Sequence, residues 1–147
     1  MTTHPQPWRE DIAGEIVARH ARREGALLPI LHDLQAAFGF IPEAAIALVA
    51  TALNVSRADV YGVVTFYHDF RTSPATKPVV KLCRAEACQA RGVEAIAAAA
   101  SDRSDVAVEP VYCLGLCASG PAAMVGDQLH ARLDVAAFGR LLDEVAA

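Results

Sequence analysis

No hydrophobic run in the 147-residue sequence approaches the roughly 20 residues that span a bilayer. The best candidate, Ala44 to Leu53, is short, rich in alanine and broken by Thr51, so direct membrane insertion is not expected. Basic stripes of the kind that neutralise phosphates are also missing, and the net charge is -4, so nucleic acid is not an expected partner. The one basic cluster, Arg19-His20-Ala21-Arg22-Arg23, reads as the solvated end of a helix, where the macrodipole favours cations. There is no Gly-x-Gly-x-x-Gly and no phosphate loop, which argues against a nucleotide site on this chain. The first residues, Met1 to Trp8, show no charged end followed by an apolar stretch. A secretory signal is therefore not expected, and the cytoplasm is the expected compartment.

Cysteine is scarce. A domain of this length hides roughly 68 to 70 % of its unfolded surface and needs no covalent staples, and dense disulfides belong to small secreted domains. The four cysteines present fall as two clipped pairs, Cys83-Arg84-Ala85-Glu86-Ala87-Cys88 and, with 24 residues between, Cys113-Leu114-Gly115-Leu116-Cys117. Each pair lies where a strand-like run gives way to a loop, so one fold can bring two loops and four sulfurs to a common point. A 2Fe-2S cluster needs that arrangement, because two irons bridged by two sulfides take four thiolates, commonly two per iron. Structural zinc also accepts four thiolates, in small knuckles with two to four residues between paired cysteines. A dithiol oxidoreductase would need a C-x-x-C pair, and none is present. Ordinary buried cysteines are the remaining reading. Gly115, between Leu114 and Leu116, is expected to let the backbone pass close to sulfur, where amide hydrogens raise a cluster's potential.

Apolar spacing divides the chain into a helical half and a mixed half. Ile12, Ile16, Val17 and His20 mark a first helix, with Gly25 as its stop. Leu27, Leu31, Leu34 and Phe38 mark a second, ended by Gly39 ahead of Pro42. A third runs through Ile46, Leu48, Val49 and Leu53. Ser56-Arg57-Ala58-Asp59 forms a capping box for a fourth, which carries Val60, Val63, Val64 and Tyr67. Short helices on short loops make a small bundle. The polar, proline-bearing stretch Arg71 to Pro78 is the boundary. Beyond it, Val79 to Leu82 reads as a strand, Gln89 to Ser101 as an alanine-rich helix, and Val106 to Val108 as a strand bending near Pro110. Ala122 to Val125 and Leu129 to Arg132 flank a hairpin turn at Gly126-Asp127-Gln128. Asp134 caps a last helix expected to bury Val135, Phe138, Leu141, Leu142 and Val145.

The fold class is therefore α/β, with a four-helix bundle over residues 1–75 and a mixed-sheet domain over residues 76–147. Strand, helix, strand, hairpin, helix is the element order of a thioredoxin-like domain. The strand, helix, strand unit favours a parallel pair with a right-handed crossover. Both cysteine loops then lie beyond the C-terminal ends of the parallel strands, where open α/β sheets commonly place their sites. His32 and His68 read as structural contacts, and Phe66, Tyr67 and Phe70, at helical spacing, as core. The carboxylates form no acid/base pair.

Leu31-His32-Asp33-Leu34-Gln35, Phe38-Gly39-Phe40-Ile41-Pro42, Leu53-Asn54-Val55, Val60-Tyr61-Gly62-Val63-Val64-Thr65-Phe66-Tyr67, Phe70, the two cysteine pairs and Pro121 follow one another in order. Through these residues nearly the whole chain resembles the thioredoxin-like 2Fe-2S subunits of NADH-linked oxidoreductases. The resemblance implies that Cys83 and Cys88 bind one iron and Cys113 and Cys117 the other. It further implies that the helical half packs on a larger subunit bearing FMN and the NAD site, and through it serves a substrate-oxidising subunit. The chain's own part would be one-electron transfer, with no bond made in a substrate. Within the family, complex I members usually have a longer connection between the cysteine pairs, with a Gly-Glu-Thr-Thr-like stretch and an Asp-Gly turn. Residues Ala98 to Tyr112 have neither, which looks more like the gamma subunit of NAD-dependent formate dehydrogenase than like complex I or the diaphorase subunit of an NAD-reducing hydrogenase. Gly120 stands before Pro121 where relatives commonly have alanine.

Overall fold

Ser56 and Asp59 open the most clearly signalled helix. The Ser56 hydroxyl accepts the Asp59 N–H at 3.0 Å, and the Asp59 carboxylate accepts the Ser56 N–H at 3.0 Å. Two otherwise unpaired donors of a helix start are thereby satisfied. The computed structural model describes residues 7–147, and the chain divides into two compact units between Ala75 and Thr76.

The first unit holds α1 (Glu10–His20), α2 (Leu27–Phe38), α3 (Glu43–Leu53) and α4 (Arg57–Phe66). Leu31, Leu34 and Phe38 recur on one face of α2 and are buried with Ile16, Val17, Val49, Val60 and Val64. Gly39 ends α2 in the left-handed region, at φ 79°, and its N–H reaches the Gln35 carbonyl at 2.7 Å. The first helix stops at His20, short of Gly25. His20 is captured by Asp33 of α2, Nε2 to Oδ2 at 2.7 Å, and Arg19 lies 3.9 Å from the same carboxylate, so part of the basic cluster joins two helices instead of facing only water. Gln35 holds the segment after α4 with both ends of its amide, donating to the Asp69 carbonyl and accepting from the Arg71 N–H, each at 2.6 Å.

The three aromatic residues near the end of α4 do not share one environment. Phe70 is buried and meets the exposed His32 ring at a centroid distance of 5.0 Å. Phe66 is 73 % exposed and Tyr67 43 % exposed. Val60 and Val64 form the inward row of α4, and Phe66, two residues past Val64, is rotated by about 200° from it. It therefore points outward.

The second unit holds β1 (Val79–Cys83), α5 (Glu86–Ala90), α6 (Val93–Ala99), β2 (Ala107–Val111), β3 (Ala123–Val125), β4 (Gln128–His130) and α7 (Val135–Ala146). A single 3-10 turn spans Cys117–Ser119. The sheet order is β2-β1-β3-β4, with β1 parallel to β2 and the remaining pairs antiparallel. In this register Cys83 stands opposite Val111, so both cysteine loops leave the same end of the parallel pair. Pro110 stays inside β2, opposite Leu82. An edge strand tolerates the missing N–H. The hairpin turn narrows to Gly126 and Asp127, because Gln128 already pairs with Val125, and Gly126 takes φ 55°.

The alanine-rich helix is two helices. Gly92 adopts φ 85° between α5 and α6, which no continuous right-handed helix allows. Cys88 consequently sits inside α5 instead of in a loop. Asp134 caps α7 by accepting the Ala137 N–H at 2.7 Å, and Phe138, Leu141 and Leu142 are its buried row. Val135 is in the first turn and remains 47 % exposed. Among the described residues, no helix is long and apolar enough to cross a membrane.

Candidate metal centre

The end of β1 delivers Cys83, and the first turn after it folds Cys88 back toward the same sulfur. The Cys88 N–H bonds to the Ala85 carbonyl at 2.9 Å, closing that turn. Cys83 and Cys88 are only 3 % and 2 % exposed, and their thiols are hydrogen-bonded to each other. The end of β2 delivers the other loop. There Cys113 and Cys117 are exposed, with their sulfurs 3.7 Å apart. Cys117 is near enough to the buried pair for its charge to act on Cys88 and for the charge of Cys83 to act on Cys117. All four predicted cysteines thus converge, as one buried pair and one exposed pair. Among the described residues no three His, Cys, Asp or Glu side chains surround a single ion position.

The backbone around these sulfurs is shaped for them. Burial pushes the Cys83 thiol up, but the amides of Ala85, Leu114 and Cys113, together with the Cys88 thiol, more than offset it. Cys83 ends below the ordinary thiol range. Burial and the hydrogen bond with Cys83 push Cys88 up against the Ala122 amide. The Cys113 thiol, by its hydrogen bond and its charge, pushes Cys117 up. Cys113 itself takes φ 86°, a conformation that costs a non-glycine residue about 1 to 3 kcal/mol and is tolerated mainly where function needs it. Here it aims two successive amides at the Cys83 sulfur, the manner in which backbone concavities hold anions.

Two glycines serve the site in different ways. Gly115 takes φ 77°, and a Cβ there would meet no protein atom within 4 Å. Its requirement in the chain is conformational, not the close approach expected from the sequence. Gly120 is the position of close approach, since a Cβ there would lie 3.0 Å from the Cys88 sulfur. The Gly120–Pro121 peptide is cis. Sequence reasoning passed over both Cys113 as a strained residue and Gly120 as a contact, because neither follows from residue type. Replacing Gly115 with valine forces a β-branched side chain to φ 77°, at a cost of about 1 to 3 kcal/mol borne by this loop. Iron content per chain should fall relative to wild type, as measured by iron assay after reconstitution.

Residues 13–146 match the family model described as thioredoxin-like [2Fe-2S] ferredoxin. The chain belongs to this family. As a member it is an electron-transfer protein with one 2Fe-2S cluster. Two thiol pairs drawn together, amides directed at sulfur and a bare glycine against Cys88 fit such a cluster. The family member is 27 % identical over 151 residues to HndA, a subunit of an NADP-reducing hydrogenase from Solidesulfovibrio fructosivorans, covering 95 % of this chain and 88 % of that one. It is 31 % identical over 150 residues to an NADH-quinone oxidoreductase subunit of Rhizobium meliloti, covering 95 % and 89 %. With the corresponding NADH-quinone oxidoreductase subunit of Escherichia coli the identity is 30 % over 129 residues, covering 80 % and 78 %. Among solved structures, an NAD+-reducing [NiFe]-hydrogenase in the H2-reduced state matches with a TM-score of 0.66 and 25 % identity. That match covers 81 % of this chain but only 22 % of the hydrogenase chain.

Proposed function

We propose that this ferredoxin is the 2Fe-2S electron-transfer subunit of an NAD-dependent formate dehydrogenase in the cytoplasm, with Cys83 and Cys88 on one iron and Cys113 and Cys117 on the other. The carrying observation is the convergence of the sulfurs as two pairs. A mononuclear zinc site asks for four donors about one point, whereas a binuclear cluster asks for two and two. When bound, the cluster supplies one-electron oxidation and reduction and makes no bond to a substrate. The chain's part is to hold four thiolates, direct amides at Cys83 and leave the Cys113/Cys117 side open to solvent.

The assignment to formate dehydrogenase is supported by the short connection between the pairs. Only the seven-residue α6 and its flanking loops separate α5 from β2. The docking of the helical unit on a flavin-bearing subunit with bound FMN and NAD is supported by the outward aromatics of α4 and its end. Phe66 and Tyr67, whose rings meet at a centroid distance of 5.2 Å, are exposed, as is Tyr61 at 56 %, and Tyr61 also lines a groove of about 650 Å³ with Ile41, Ile46 and Arg57. Aromatic side chains standing in water commonly mark a surface that a partner covers.

The test is anaerobic purification of the chain with its co-purifying subunits, followed by iron and acid-labile sulfide assays and EPR before and after dithionite. Two irons, two sulfides, a rhombic signal on reduction and formate-dependent NAD reduction by the complex are expected. Hydrogen-dependent or quinone-linked activity without formate activity would overturn the choice of complex. Colourless, zinc-containing protein after reconstitution would overturn the cluster ligation in favour of an interaction module.

A further inference from the structure

Two arginines flank the buried cysteine pair, and their charges have different fates. Arg84, directly after Cys83, is engaged by Glu94 of α6 through both carboxylate oxygens, with Nε to Oε1 at 2.9 Å. Its charge is compensated. Arg91 succeeds α5 as its C-terminal cap and donates its backbone N–H to the Cys88 carbonyl at 3.2 Å. Among the described residues its guanidinium makes no ion pair. Gly92, at φ 85°, turns the chain immediately after it.

The Arg91 side chain runs past Gly120. The point where a Gly120 Cβ would stand lies 3.0 Å from the Cys88 sulfur, 3.4 Å from the Arg91 Cδ and 3.8 Å from the Cys117 carbonyl oxygen. The missing methyl group is therefore the place where the stem of Arg91, a sulfur of the buried pair and the backbone of the exposed pair come together. A side chain at residue 120 would press on the Cys88 sulfur first, which would have to give by a few tenths of an ångström.

We propose that Arg91 is a positioning residue for the cluster's reduction potential, an uncompensated cation held beside the Cys83/Cys88 side by the space that Gly120 leaves. The proposal rests on the cysteine ligation given above. Reduction adds one electron to a group already carrying thiolate charge, and net charge and burial are among the factors that set the potential of such clusters. A positive charge carried on a stem that passes beside the Cys88 sulfur favours the reduced form and raises the potential. The guanidinium itself is exposed, so mobile ions screen its effect, which gives the proposal a second signature.

The full chain, loaded with cluster, is to be compared as wild type, Arg91→Gln and Arg91→Lys in dye-mediated redox titrations followed by EPR, at low and at high salt. Iron and sulfide are assayed on each sample. With Arg91→Gln, the reduced-to-oxidised ratio at a fixed potential should drop about threefold, or about 30 mV at 59 mV per tenfold for one electron. Arg91→Lys should restore most of that shift, and high salt should shrink the difference between Arg91→Gln and wild type. A fully loaded Arg91→Gln protein with the wild-type midpoint overturns the proposal. So does an Arg91→Lys midpoint equal to that of Arg91→Gln, because the effect would then come from packing and not from charge. Failure of the underlying ligation looks different, since Cys88→Ala would then keep its iron, sulfide and EPR signal.

Discussion

Replacing Cys88 with alanine should leave the ferredoxin without its cluster, with iron and sulfide falling at least about tenfold and no rhombic EPR signal after dithionite. The magnitude comes from how little could substitute for the lost thiolate. Even outer-shell partners of a metal ligand typically cost 10 to 100-fold in affinity when removed, and a ligand lies one shell closer. Cys88 is 2 % exposed and packed between Cys83 and the bare face of Gly120, so water does not readily fill its place. Serine at this position should do no better, because a buried hydroxyl gives up its proton far less readily than a thiol. Cys117→Ser is the contrasting case. Its site is exposed, an oxygen donor there is solvated, and a partial cluster with altered g-values is expected. An ordering of wild type, then Cys117→Ser, then Cys88→Ser and Cys88→Ala, read by iron content and EPR, is what the buried and exposed pairs predict. Equal loss in all three would mean that burial does not distinguish the pairs.

That asymmetry between the pairs was not legible in the sequence, although the cysteines themselves were. Spacing located four sulfurs at the ends of two strands, and parallel pairing of β1 with β2 put those ends together. Which pair is buried depends on the path the chain takes beyond each strand. After β1 the chain turns into α5, which carries Cys88 into the core beside Val93 and Ile96. After β2 it enters an open loop in which Cys113 takes a left-handed conformation. A residue's burial there is decided by the packing of other elements, and residue type carries little of that information.

The same distinction explains the fold. Hydrophobic periodicity found each helix among the described residues of the first unit, because α2 and α3 bury regular stripes. The capping box at Ser56 and the cap at Asp134 were legible because short polar side chains at helix starts have few other uses. The break at Gly92 was overlooked because alanine on both sides outweighs one glycine in any propensity reading, whereas the chain needs a left-handed residue there to end α5 and start α6 in a new direction. The outward placement of Phe66 was misjudged because the spacing of the aromatics among themselves was read without its phase against the buried Val60 and Val64 row, from which Phe66 is turned by about 200°. With α4 ending at Phe66, Tyr67 and Phe70 leave helical periodicity, and only Phe70 returns to the core.

Leu34→Ala and Phe138→Ala should unfold different parts of the chain. Leu34 is 0 % exposed in the helical unit and Phe138 is 1 % exposed in the cluster unit, and the two cores share no residue. Deleting such side chains costs about 2 to 5 kcal/mol for leucine and 3 to 5 kcal/mol for phenylalanine, since the lost burial is compounded by a cavity. In domains of this size that corresponds to a Tm lower by roughly 10 °C or more. Two optical probes separate the units. Trp8 is the single tryptophan and packs against the helical core, while the visible absorbance of the cluster reports the cysteine loops. Leu34→Ala is expected to bring the Trp8 fluorescence transition down and leave the absorbance transition near its wild-type temperature. Phe138→Ala, which removes the buried ring of α7 from the core that also contains Cys83 and Cys88, is expected to bleach the cluster at lower temperature and spare Trp8. Each unit then answers for its own stability, and the bundle can be altered for docking without disturbing the metal centre. If either substitution lowers both transitions together, the two cores unfold as one cooperative structure and that independence is lost.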